Sequence, residues 1–145
     1  MHQAYPVTFR NDRNGTVIAE VPDVPGTATV GADRAEALER VRGALLAMLS
    51  AMIEDRESIP LPSRAKKGQP VVSLPPLIAA KLAIYQAMRE RRMNQAELAA
   101  RLGSDARQVR RLLDLHHNSR LDQLESALRV LGKRLVLDVV EAEAA

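Results

Sequence analysis

The apolar residues of this chain change period partway along it, and that change limits the folds open to it. Near the start they alternate with polar neighbours, as Tyr5, Val7 and Phe9 do in "YPVTFR"; a period of two belongs to a half-buried strand. From Asp33 onward the apolar spacing is three and four, as on one face of a helix. Strands gathered at one end and helices at the other predict an α+β fold.

The turns sharpen this reading. Asn14-Gly15 predicts a hairpin between the first strand and "TVIAEV". "PDVPG" breaks the chain before a third strand, "TATV". Asp33 can accept from the backbone N–H of Glu36 while Glu36 reaches back, a capping box that opens a helix. Leu38, Val41, Leu45, Met48 and Met52, widened by Leu46, Leu49 and Ile53, give that helix a broad apolar stripe suited to packing on a sheet. "IPLPS" ends it, since proline cannot continue a helix. "SRAKKGQP" reads as a loop, "VVSL" as a short strand returning to the sheet edge, and Pro75-Pro76 as the start of a helix over 77–91. The expected organisation is a first unit over 1–75, β-β-β-α-β, and a second over 76–145, helical with one C-terminal strand.

Composition excludes several functions. With three aromatic residues (Tyr5, Phe9, Tyr85), the core must be aliphatic and base-stacking platforms for single-stranded nucleic acid are nearly excluded. The absence of cysteine removes disulfides and thiolate metal sites. No stretch has the length of a membrane span and no signal-peptide pattern opens the chain, so a soluble cytoplasmic protein is expected. Charge is unevenly distributed. Residues 1–70 carry nine basic and nine acidic side chains, whereas residues 81–111 carry eight basic (Lys81, Arg89, Arg91, Arg92, Arg101, Arg107, Arg110, Arg111) and three acidic. Positive charge concentrated in one region suits a polyanionic partner, although a solvated helical face would carry it equally well.

The segment "NQAELAARLGSDARQVRRLL" concentrates this feature. Asn94 can cap a helix with Glu97 at its third position; Leu98 and Leu102 share a face, and Ala99 leaves room for a crossing helix. Gly103 suits a left-handed exit, and Ser104 or Asp105 can cap the next helix. In that second helix Val109, Leu112 and Leu113 cluster on one side, while Arg107 and Arg111, one turn apart, point the other way. A further helix follows, with Ser119 and Asp122 at its start, Leu121, Leu124, Leu128 and Leu131 along its inner face and Gly132 at its end.

With Gln95, Leu98-Ala99, Gly103 and Val109 at matching places, this segment resembles the Cro and phage-repressor class of helix-turn-helix. The resemblance implies phosphate contacts at the start of the first helix and base contacts early in the second. The DNA-binding set expected here is Gln95, Ser104, Ala106, Arg107, Gln108, Arg110 and Arg111, with Asn118 and Arg120 behind them. "LHHNSR" departs from the acidic-x-glycine that often follows the recognition helix in that class. A purely structural helix pair is the competing reading.

The first unit, with "YPVTF", Pro25-Gly26, Gly31, Glu36-Ala37 and "IPLPS", resembles the HicB antitoxin family over about residues 4–75. That resemblance implies a partial RNase H-like fold and a partner, a small, basic, RNA-cleaving toxin of the HicA type. Asp12, Glu20 and Asp23 around the hairpins are the expected toxin contacts. An RNase H-like nuclease would need carboxylates converging on two metal ions. Only Glu20 of the available acids lies within a strand, so catalysis, metal and cofactor are not expected. His2 and the adjacent His116 and His117 make no joint ligand set. A stand-alone repressor with a ligand-sensing first unit is the alternative.

After Gly132 the helical period stops and "KRLVLDVVEAE" reads as a strand with apolar residues on both faces. A lone strand leaves its backbone groups unpaired. Leu135, Val136, Leu137, Val139 and Val140 are therefore expected to pair across a two-fold axis in a homodimer; the competing expectation is that they join the first unit's own sheet.

Overall fold

The computed structural model describes residues 4–142. The first strand is split in two. β1 (Ala4–Pro6) pairs antiparallel with β5 (Val71–Ser73), and β2 (Thr8–Asn11) pairs antiparallel with β3 (Val17–Glu20), which also pairs with β4 (Ala28–Gly31). Val7, between β1 and β2, has both backbone groups engaged by the chain entering β5. Its N–H donates to Pro70 O at 2.9 Å, and its carbonyl accepts from Gln69 Nε2 at 3.3 Å. The expected single strand over 5–10 therefore changes partner at Val7, and "VVSL" returns alongside its first half.

Helix α1 (Arg34–Glu54) covers the sheet. Asp33 Oδ1 accepts from Glu36 N at 2.8 Å, and Glu36 Oε1 accepts from Ala32 N at 3.3 Å, so the box closes on Ala32 rather than on Asp33. The fully buried line is Ala37, Val41, Leu45 and Leu49, one residue per turn. Leu38, Leu46, Met48, Met52 and Ile53 pack against its flanks. The stripe is thus centred one residue from Leu38, because the small Ala37 lets the helix approach β4 closely.

Four helices follow: α2 (Pro76–Glu90), α3 (Gln95–Leu102), α4 (Ala106–Leu113) and α5 (Leu121–Val130). One apolar cluster runs from Tyr5 through Ile59 and Tyr85 to Leu131. α2 is also fastened to the turn after α1: Tyr85 Oη donates to Glu57 O at 2.6 Å and Arg89 Nη1 to Arg56 O at 2.5 Å.

Two expectations about the C-terminal part need correction. Leu121 is 51% exposed, and the inner face of α5 is Leu124, Ala127 and Leu128, continued by Leu131. Residues 133–142 carry no secondary structure, so the strand expected over 134–140 does not form within one chain. A strand exists only with a ladder partner, and among the described residues no ladder includes this segment. The competing expectation, that it joins the first unit's sheet, is thereby overturned.

Candidate nucleic-acid interface

The pair α3–α4 is built by local bonds that its sequence specifies. Asn94 Oδ1 accepts from Glu97 N at 2.8 Å, and Asp105 Oδ1 accepts from Gln108 N at 2.9 Å, so each helix has its N-cap. Between them Gly103 adopts φ +65°, and Ser104 N reaches back to Ala99 O at 3.0 Å, closing α3 with a left-handed turn. Leu98 and Ala99 of α3 and Val109, Leu112 and Leu113 of α4 are buried.

The opposite face of α4 is open. Ala106, Arg107, Gln108, Arg110 and Arg111 are all exposed, and among the described residues none of these arginines forms an ion pair. Beside them Gln108, Arg111, His117, Asn118, Arg120 and Gln123 line a cleft of about 250 Å³. Asn118 and Arg120 are exposed there, and Arg120 Nη2 lies 2.9 Å from Asp122 Oδ2. Of the expected set, Gln108, Arg111, Asn118 and Arg120 thus share one polar cleft, and Ala106, Arg107 and Arg110 are exposed on the same helix as the first two. Gln95 is half-buried at the start of α3. Ser104 departs from expectation, since its Oγ is shut off from solvent with no hydrogen-bond partner among the described residues.

Lys81 also departs from expectation. It counts toward the basic segment in the sequence, yet it is fully buried. Its Nζ donates to Arg111 O at 2.7 Å, to Asp114 O at 2.7 Å and to Ser119 Oγ at 2.8 Å. Burial lowers its pKa from 10.5 to about 8, partly opposed by the Asp114 carboxylate. Ser119, expected at the start of α5, is buried as part of this cluster and donates to Arg111 O at 3.3 Å. A signal was present in the sequence: Lys81 occupies the same helical face as Ile78, Tyr85 and Met88, where an apolar residue would be the norm.

The acids of the first unit do not converge. Asp12 follows Asn11 at the turn end of the β2–β3 ladder, whereas Glu20 sits opposite Thr8 at the other end. Glu20 Oε1 lies 3.0 Å from Arg10 Nη2, and Asp23 Oδ2 accepts from Ser63 N at 2.6 Å. Asp12 Oδ1 accepts from Arg13 N at 2.8 Å. Each acid has a local structural partner. Among the described residues no group of three or more His, Cys, Asp or Glu side chains could hold a metal ion; His2 lies outside them. Among the described residues no helix is long and apolar enough to cross a membrane.

Residues 4–83 match the family model described as a HicB-like antitoxin of bacterial toxin–antitoxin systems. The chain is 38% identical to Antitoxin HicB 2 of Photorhabdus laumondii over 133 residues, 92% of this chain and 94% of that protein. It is 35% identical to Antitoxin HicB of Escherichia coli strain K12 over 136 residues, 94% of this chain and 99% of that one. Antitoxin HicB of Pseudomonas fluorescens is 34% identical over 133 residues, 91% of each chain. These likenesses run through both the strand-rich and the helical parts. The chain belongs to the HicB family of antitoxins of type II toxin–antitoxin systems, which are not enzymes.

Proposed function

We propose that this antitoxin neutralises a HicA-type, RNA-cleaving toxin through residues 1–75 and represses its own operon through residues 76–145, in the cytoplasm. The observation that carries the second half is the open face of α4. Its arginines are exposed and without acidic partners among the described residues, while its other face is anchored in a core. Such a helix can enter a major groove, where arginine reads guanine O6 and N7, and the polar cleft lined by Asn118 and Arg120 beside it supports a phosphate contact. Toxin contact is assigned to the acids of the first unit, Asp12 at the turn end of the β2–β3 ladder and Glu20 and Asp23 at and beyond its other end, which offer negative charge to a basic partner.

Dimerisation belongs to the same reading. Val136, Leu137, Val139 and Val140 are between 62% and 84% exposed, and the backbone around them has no ladder. Pairing with the identical segment of a second copy would satisfy both and set two recognition helices about 34 Å apart on a near-palindromic site.

The test combines a growth assay with a gel shift. The chain is co-expressed with the small basic protein encoded beside it, and titrated against a duplex from upstream of its own coding sequence. Arg107→Ala and Arg111→Ala should each weaken DNA binding by about 1–3 kcal/mol while growth rescue is retained. Unchanged affinity in both variants would reject the groove assignment, and failure of the wild-type chain to rescue growth would reject toxin neutralisation.

A further inference from the structure

The carbonyls at the end of a helix have no partner within it. At α4 they are met by a side chain from another helix. Lys81 reaches from α2 to Arg111 O in the last turn of α4, to Asp114 O just beyond it, and to Ser119 Oγ at the far side of the loop. An ammonium has three N–H donors, and here three acceptors fill them. Positive charge is also the sign favoured at a helix C-terminus. The charged group beside Lys81 is Asp114, whose carboxylate in turn accepts from His116 N at 3.0 Å. The packed faces of α2 and α5 otherwise present apolar residues, among them Ile78, Leu82, Leu124 and Leu128.

We propose that Lys81 is a positioning residue for DNA recognition: by holding the last turn of α4 and the 114–119 loop against α2, it fixes the direction in which Arg107 and Arg111 leave the domain. The inference rests on the DNA-binding reading above. Swinging α4 away from α2 would strand a buried ammonium without acceptors, so the helix is tied to one orientation by a group that itself never meets DNA. The same cluster orders the loop that carries Asn118 and Arg120 toward the cleft.

Protonation separates positioning from mere stability. A neutral amine has two N–H donors for three acceptors, so the hold on α4 slackens as pH rises through about 8. Folding stability moves the other way. The unfolded lysine keeps its proton up to 10.5, so between about 8 and 10.5 the unfolded state binds more protons and this group's contribution to stability rises with pH. A role limited to stability would move DNA affinity and stability together.

The experiment uses the full-length chain, Lys81→Met, which keeps most of the stem without the charge, and Ser119→Ala, which removes one acceptor. Fluorescence anisotropy with the upstream duplex, from about pH 7 to about pH 9.5, is read beside thermal unfolding of each protein. At neutral pH, Lys81→Met should bind about tenfold more weakly and Ser119→Ala about threefold more weakly. Wild-type affinity should fall with pH while its melting temperature, relative to Lys81→Met, rises; Lys81→Met affinity should lack that fall. A folded Lys81→Met that binds like wild type, or a fall with pH shared by both, overturns the proposal. If Lys81→Met does not fold, Ser119→Ala and the wild-type pH profile decide it. If the wild-type chain does not bind the duplex at any pH, the DNA-binding reading itself fails, and this proposal with it.

Discussion

Gly31→Ala should be among the most damaging single-methyl additions available to this chain. A Cβ built at Gly31, in the last position of β4, falls 2.8 Å from Ala37 Cα and 2.9 Å from Glu36 C, both backbone atoms of the first turn of α1. Carbon atoms in contact prefer about 3.5–4.0 Å, so the turn must retreat by about 1 Å. That turn is pinned on every side. Asp33 Oδ1 caps Glu36 N at 2.8 Å, Arg40 Nη1 donates to Val30 O at 3.0 Å, and Ala37 is fully buried against the sheet. Losing the cap costs about 1 kcal/mol, and overpacking a well-filled contact adds about 1–3 kcal/mol. The sum is roughly 3 kcal/mol, which for a chain of this length lowers the melting temperature by about 10 °C. Urea unfolding followed by circular dichroism should show a lower midpoint with unchanged slope. A variant as stable as wild type would refute the close approach of β4 to α1.

Two further outcomes follow from backbone geometry and from exposure. Arg92 occupies the left-handed region at φ +52° just after α2, with Met93 N bonded to Met88 O at 2.9 Å and Arg92 N to Arg89 O at 3.1 Å. This is the position glycine usually fills, so Arg92→Gly should raise stability by about 0.5–1 kcal/mol, read as a higher denaturation midpoint. Removing residues 136–145, which spares the partly buried Leu135, should convert a dimer to a monomer by light scattering and weaken DNA binding; a truncated chain that stays dimeric rejects the pairing.

The order of elements was legible because period and punctuation are local. Strands fall where residues alternate, and helices where they recur at three and four. What failed was detail set by distant partners. Nothing in "YPVTFR" shows that Val7 will be claimed by Gln69 and Pro70 and the strand divided there. Leu121 satisfies the helical spacing of Leu124 and Leu128, yet it lies in the first turn of α5 and is left half exposed to solvent. The segment 134–140 has the pattern of a strand but no partner within its own chain, so a single copy cannot express it.

The site divides along the same line. Asp33 with Glu36, Asn94 with Glu97, and Asp105 with Gln108 each join residues three apart, and each could be read from residue type and spacing. The bonds that hold the larger architecture join a side chain to a backbone carbonyl far along the chain: Lys81 to Arg111 and Asp114, Tyr85 to Glu57, Arg89 to Arg56, Tyr5 to Pro60. Every residue has a carbonyl, so the acceptor leaves no mark in the sequence, and the donor alone cannot name it. The donor's position can still betray it. Three of these four donors, Lys81, Tyr85 and Tyr5, are buried side chains with a polar tip, and a polar tip inside a core must find an acceptor. A lysine on the apolar face of α2 is therefore a sign that a helix end or a loop is nearby to receive it. In this chain that helix end belongs to α4, so the residue that looked like one more surface charge is a tie between two helices inside the core.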